Sequence, residues 1–273
     1  ERIYEYGKSV KALDEKARLI VFNCAEYAEN PQLILAQLFG YKKGAFTGAD
    51  RDSEGLVEKA DGGVLFLDEL PEFKRSVLEV LRQPIESGTV TISRASGSYT
   101  FPSRFMLIAA MNPCPCGYYG DKTHKCQCSQ MQIQRYLNKI SAPLLDRFDL
   151  HIEVPAVDFN KLSSKEKGES SESIRRRVVA ARQIQLERYK GKPIFCNSQL
   201  ISEDINTYCE ISEKQKEILK KAFVMLKMSA RAYSRILKVS RTLADLDSSE
   251  NIQDKHIMEA IQYRSLDRDY WKW

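Results

Sequence analysis

No apolar run in this 273-residue chain approaches the roughly 20 residues that cross a bilayer, and the charged first residues do not resemble a secretory signal. The expectation is a soluble, cytoplasmic protein with no membrane partner. Internal repeats and low-complexity tracts are missing as well. Seven cysteines are an odd count, and four of them crowd into residues 114–128, so thiols and metal are expected rather than a disulfide framework. A further absence concerns phosphate binding. The pattern G-x-x-x-x-G-K-[S/T], whose loop amides and lysine cradle nucleotide phosphates, does not occur. Gly7-Lys8-Ser9 comes nearest, but Arg2 stands where the first glycine belongs and no strand precedes it, so it reads as a helix end. Such a loop is expected just upstream of Glu1.

What is present bounds the architecture. A 43% hydrophobic composition can bury one good core and a second, smaller one. The net charge of +5 is uneven: residues 1–69 carry 9 basic and 13 acidic groups, residues 70–153 carry 10 and 7, and residues 154–273 carry 23 and 17. A basic excess after residue 69 suits a polyanion such as nucleic acid, and equally suits a lid facing ATP phosphates.

Periodicity predicts a helix over 1–14, a strand Arg18–Asn23, a helix opened by Pro31, a strand Val64–Leu67, a helix Arg75–Glu86 interrupted late by Pro84, a hairpin Thr89–Ser93 with Ser98–Phe101, and a strand Arg104–Met111. Alternation of this kind implies a parallel sheet with helices on both faces. Residues 155–170 are polar and rich in Lys, Ser, Glu and Gly. They are expected to link an α/β core at 1–154 to an all-helical domain at 171–273, with helices near 172–189, 203–208, 212–226, 230–246 and 254–263. Ser212 followed by Gln215 is a capping box.

The stretch Gly62-Gly63-Val64-Leu65-Phe66-Leu67-Asp68-Glu69 is an apolar strand ending in two carboxylates. That is what ATP hydrolysis on a phosphate-loop fold requires: Asp68 to hold Mg²⁺ through water and Glu69 to polarise the attacking water. An ordinary core strand ending in an acidic turn has the same outline. Asn112 ends the 104–111 strand, where an amide can position water against a γ-phosphate or cap a turn. Cys114, Cys116, Cys126 and Cys128 form two close pairs able to supply a tetrahedral Zn²⁺ site; free thiols or a redox pair remain open, and His124 is a possible substitute ligand. Gly44-Ala45-Phe46-Thr47-Gly48-Ala49 is a small-residue loop with one adhesive tip.

Phe22-Asn23-Cys24-Ala25, Leu38-Phe39-Gly40, the 44–49 hexapeptide and residues 55–63 resemble the AAA+ domain of sigma-54-dependent transcription activators of the sugar-operon regulator type. That resemblance implies that the hexapeptide contacts the sigma factor. From residue 62 to about 268 the chain instead resembles magnesium-chelatase-like AAA+ proteins of the ComM type, carried by Leu70-Pro71-Glu72, Arg82-Gln83-Pro84-Ile85-Glu86, Thr91-Ile92-Ser93-Arg94-Ala95 and Ala109–Gly117. This second resemblance implies a fold and a set of roles. The fold is a phosphate-loop AAA+ core, truncated before that loop, plus a smaller helical lid. In it Asp68 and Glu69 form Walker B, Asn112 is sensor 1, and Arg94 sits near the tip of an inserted hairpin where it can meet a DNA backbone. Pro143-Leu144-Leu145-Asp146-Arg147-Phe148-Asp149 resembles an arginine-finger segment and Ser229-Ala230-Arg231-Ala232 resembles sensor 2; either arginine could otherwise form an ordinary surface ion pair. A finger acting in trans implies a homo-hexamer.

The two resemblances meet at Gly62–Glu69, which both share. A natural recombinant, an engineered fusion or a sequence joined across a near-identical stretch has that appearance. The leading functional expectation is an ATP-driven motor acting on DNA by branch migration or unwinding, with ATP and Mg²⁺ as cofactors and Zn²⁺ in the cysteine site. The 273 residues alone are expected to turn ATP over barely or not at all. A transcription activator engaging sigma-54 RNA polymerase through residues 44–49 is the alternative, although no helix-turn-helix is visible. A metal-chelatase subunit is a weaker one, since fold does not carry substrate.

Overall fold

A computed structural model describes residues 17–27, 31–41, 44, 50–94, 97–121, 123–155 and 168–264 of the chain. The chain divides into two compact units, Glu1–Arg147 and Phe148–Trp273. The helix expected over 1–14, Gly7-Lys8-Ser9 included, lies outside the described residues, as do 156–167 of the expected linker.

The first unit is mixed α/β. Its elements are β1 (Leu19–Asn23), α1 (Pro31–Phe39), α2 (Leu56–Lys59), β2 (Val64–Asp68), α3 (Arg75–Val80), α4 (Arg82–Ser87), β3 (Thr89–Arg94), β4 (Gly97–Pro102), β5 (Met106–Ala109), α5 (Gln130–Leu137) and α6 (Ala142–Leu145). Strands β1, β2 and β5 form a parallel sheet in the order β1-β2-β5. A strand flanked on both sides and covered on both faces needs a continuous apolar run, and Val64, Leu65 and Leu67 of β2 are at most 2% exposed. Ile34 and Leu38 of α1, Val77 and Leu78 of α3, and Phe73 and Leu81 complete the core.

Two glycines set the entry to β2. Gly62 adopts φ +69, and a Cβ on Gly63 would come within 2.3 Å of the Arg18 carbonyl oxygen. Gly62 N–H donates to Arg104 O at 2.7 Å and Val64 N–H to Arg18 O at 2.9 Å, so the start of β2 is tied to both neighbours. The register Leu19↔Val64↔Met106 follows.

The helix expected over 75–86 is two helices meeting at Leu81. Pro84 has no N–H to bond the carbonyl of Val80, so the first helix stops one turn earlier. Strands β3 and β4 pair antiparallel from Thr89↔Pro102 to Arg94↔Gly97, with a Thr91–Thr100 hydroxyl contact at 3.1 Å.

The second unit is helical: α7 (Ser171–Arg188), α8 (Ser202–Tyr208), α9 (Glu213–Leu226), α10 (Ala230–Leu246) and α11 (Asp254–Gln262). Serines start three of them, since the hydroxyls of Ser170, Ser212 and Ser229 each accept an N–H three residues on. Ala232, Ile236, Leu237, Ser240, Arg241, Ala244 and Asp245 make the buried stripe of α10. Its apolar members pack with Tyr189, Ile205, Leu219, Ile257 and Ile261.

At the polar end of that stripe Asp245 is enclosed. It accepts from the guanidinium groups of Arg188 and Arg241, from Gln185 Nε2 at 3.1 Å and from Asn197 Nδ2 at 2.9 Å. Burial would raise its pKa, but hydrogen bonds from Arg188 and Asn197, with the charges of both arginines, hold it below the usual carboxylate range.

Candidate functional site

Parallel strands deliver their C-terminal ends to one edge of a sheet, and here the chemistry collects there. Asp68 is the last residue of β2, and Glu69 turns into the left-handed region with φ 51 and ψ 46. That conformation costs a non-glycine residue about 1–2 kcal/mol. The surroundings enforce it: Glu69 N–H donates to Asp68 Oδ1 at 3.0 Å, Leu70 N–H to Ala110 O at 3.0 Å, and Cys24 N–H to Asp68 O at 3.1 Å. Leu70 and Pro71 are buried directly after the bend. On the neighbouring strand Leu67 pairs with Ala109, and Asn112 emerges exposed three residues later. Asp68, Glu69 and Asn112 therefore leave adjacent strands at the same edge.

Two side chains that sequence reasoning missed register the negative charge there. Cys24, fully buried beyond β1, has its thiol pushed up to about 12 by burial and then by the charges of Asp68, Glu69 and Glu72. Tyr136 of α5 is raised to about 12 by burial and by Glu72, against a bond from the Asn112 backbone that lowers it. Cys24 could have been found, because it follows β1 and parallel pairing carries it to Asp68. Tyr136 left no local signal. The oxygen donors of Asp68 and Glu69 suit a hard divalent cation, and among the described residues no ion pair reaches either carboxylate.

The cysteine loop continues from Asn112. The sulfurs of Cys114, Cys116, Cys126 and Cys128 all lie within 4.8 Å of one another. Cys114–Cys116, Cys114–Cys126 and Cys116–Cys126 are separated by 3.4, 3.7 and 3.6 Å, and all four cysteines are free. Zinc–sulfur bonds of about 2.3 Å in a tetrahedron put sulfurs about 3.8 Å apart, so the cage fits that ion. Gly117 and Gly120, at φ 82 and 83, allow the turn between the pairs. Amides of Tyr118 and Gln127 donate to Cys116 and lower its thiol to about 6, while burial pushes Cys126 up to about 12. His124 stays apart from the cage, stacked on Tyr118 at 4.9 Å with Nδ1 on the Thr123 hydroxyl at 2.9 Å. Directly after Cys128, Ser129 and Gln132 form a reciprocal cap that opens α5. The cage thus joins the exit of β5 to the helix carrying Tyr136.

Arg147 is 5% exposed at the end of the first unit. Its Nε and Nη2 donate to Glu86 Oε2, the former at 3.1 Å, and Nη1 donates to Pro143 O at 2.6 Å. Arg231 is exposed in the first turn of α10. Gly44 is exposed with φ +80, whereas Ala45, Phe46, Thr47, Gly48 and Ala49 lie outside the described residues. Arg94 closes β3, with its side chain outside the description.

Family models described as magnesium chelatase, subunit ChlI, and magnesium chelatase, subunit ChlI C-terminal, match residues 41–162 and 168–264. The chain is 49% identical over 215 residues to competence protein ComM of Haemophilus influenzae, covering 78% of this chain and 41% of that protein. It is 44% identical, with the same coverage, to the uncharacterized protein YifB of Escherichia coli. A different kinship accompanies these: 50% identity over 88 residues to the transcriptional regulatory protein LevR of Bacillus subtilis, covering 32% of this chain and 9% of that one. The chain spans about two fifths of the length of the ComM and YifB relatives. Similarity to both kinds of protein fits a chain of two origins.

Proposed function

Two consecutive domains of the magnesium chelatase ChlI family make this chain a ComM-like AAA+ protein, and on that premise we propose that it is the catalytic part of an ATP-hydrolysing motor that acts on DNA. The observation that carries the reading is the shared strand edge. Asp68 and Glu69 close the middle strand of a parallel sheet and Asn112 follows the strand paired to it. Bound ATP with Mg²⁺ would supply the phosphoanhydride to be cleaved and the charge that offsets its oxygens.

The residues divide the work. Asp68 holds the metal's water shell. Glu69 accepts a proton from the attacking water, and Asn112 orients that water. Arg231 contacts the γ-phosphate. Arg147 acts on the nucleotide of an adjoining copy, which makes a hexameric ring the working assembly. Cys114, Cys116, Cys126 and Cys128 hold Zn²⁺ as a staple that keeps Asn112 and α5 in place. A basic excess after residue 69 is compatible with DNA as the polyanion, as it is with ATP phosphates, and Arg94 on the β3–β4 hairpin is the backbone contact.

The experiment is ATP turnover, with and without duplex and branched DNA, of the 273-residue chain and of the same chain extended by a strand and phosphate-loop segment. The 273 residues alone should turn ATP over barely, and the extended chain measurably. Glu69→Gln in the extended chain should retain ATP without cleaving it; cleavage at the parent rate would remove Glu69 from its role. A second reading has its own support in the LevR similarity: residues 44–49 engage sigma-54 polymerase. Retention of purified sigma-54 by the chain, lost in Phe46→Ala, would favour it.

A further inference from the structure

We propose that Glu86 is a displaceable counter-ion that stores Arg147 at a cleft whose ligand is a phosphate group, the terminal phosphate of a nucleoside triphosphate being the class it fits. The proposal rests on the reading of Arg147 as the finger of a motor. The cleft has a volume of about 420 Å³ and is lined by Glu79, Arg82, Gln83, Glu86, Ser87 and Arg147.

Three features of this cleft point to exchange rather than to a permanent ion pair. The partners are unequally buried: Arg147 is 5% exposed and Glu86 48%. A carboxylate that leaves regains water, whereas the guanidinium stays desolvated and must find another anion. The contact also falls short of the two-pronged geometry that guanidinium favours. Both Nε and Nη2 converge on the single oxygen Oε2, where a phosphate offers separate oxygens to the two donors. Finally, a second arginine that lines the cleft carries a buried donor with no acceptor among the described residues. Arg82 Nη1 is held by Glu79 Oε2 at 2.6 Å, but its Nε is buried without a hydrogen-bond partner. A buried donor left in that condition costs about 1–3 kcal/mol. One phosphate entering beside Arg82 and Arg147 would answer both arginines while Glu86 swings to solvent.

The storage has a consequence for the motor. An arginine already neutralised within its own unit cannot act on a neighbour's nucleotide until an anion outcompetes Glu86. Engagement is thereby limited to the time when a phosphate occupies the cleft.

The probe is tripolyphosphate, titrated calorimetrically into the 273-residue chain and its variants. Glu86→Gln keeps an acceptor for Arg147 and removes the competing charge, so binding should tighten about tenfold. Arg147→Ala should lose binding, and Arg82→Ala should weaken it. In the unaltered chain, tripolyphosphate should move the Arg147 side-chain Nε–H signal in ¹⁵N NMR, a readout that needs no variant to fold. Equal affinity in the parent and Glu86→Gln, or an Arg147 signal that does not respond, overturns the proposal. The finger reading fails separately: in the chain extended by a phosphate loop, Arg147→Ala retaining turnover would sink that reading while the calorimetric result at Glu86 stands.

Discussion

Asp245 and the Asp68–Glu69 pair are both carboxylates at the end of an apolar stripe or strand, yet the protein treats them in opposite ways. Asp245 is enclosed by Arg188, Arg241, Gln185 and Asn197, all from the same helical unit. Among the described residues Asp68 and Glu69 receive little beyond the Glu69 amide, and their charges instead raise the neighbouring Cys24. A carboxylate whose hydrogen bonds and counter-charges are met by its own chain is part of the scaffold. One left half-buried with no ion pair among the described residues is open to a partner from outside its own unit.

The largest effect that can test this contrast is at Asp245. Asp245→Ala leaves two arginines buried without a counter-charge and should cost about 3–5 kcal/mol. Urea unfolding followed by hydrogen exchange would read it as lost protection across α7 and α10. The matching change Asp68→Asn should stay within about 0.5 kcal/mol of the parent. Comparable losses at the two sites would erase the distinction. The same contrast carries a pH signature. The folded-state pKa of Asp245 lies below the ordinary value of 3.8, so its contribution is complete above that value and is lost as pH falls through the folded pKa. The helical unit should therefore weaken in acid, and Asp245→Asn should remove that component of the slope.

How much of this could be read from the sequence depends on distance along the chain. The three sheet strands were legible because each is a continuous apolar run, Leu19–Phe22, Val64–Leu67 and Met106–Ala109, although only β2 is covered on both faces and the outer strands expose Val21 and Met106. The Ser212–Gln215 cap was legible because its partners are three residues apart. Asp68, Glu69 and Asn112 were legible as strand ends. The Asp245 network was not, since Arg188 lies 57 residues from Asp245, and neither was the Glu86–Arg147 pair, 61 residues apart. Pairings of that range are made by packing and leave no period or spacing. The short helices α2, α5 and α6 also escaped, each being too brief to show more than one or two turns of pattern.

The cysteine cage extends the comparison to a second set of groups awaiting an outside partner. Zinc held at a free concentration a hundredfold above its dissociation constant should stabilise the first unit by about 2.7 kcal/mol. Chelation should lower its melting temperature, and metal analysis of the purified chain should return one zinc per chain. Cys126→Ser should abolish the chelator's effect. A chain that melts identically with and without chelator, and carries no metal, would reduce the cage to four free thiols.

At Glu69 the effect is again small, and its sign is what matters. A glutamate at φ 51 pays a backbone penalty that glycine does not. Glycine in turn brings extra chain entropy to the unfolded state, so the two contributions partly cancel. Glu69→Gly should therefore change stability by less than about 1 kcal/mol and in the favourable direction, measured as the urea midpoint at constant slope. Substituting an acid that packs and pairs, such as Asp245, can only lose stability. An acid held in a strained bend with no counter-charge among the described residues is replaceable as far as the fold is concerned. A loss of several kcal/mol in Glu69→Gly would mean that its side chain supports the strand end, and would move Glu69 to the structural side of the comparison.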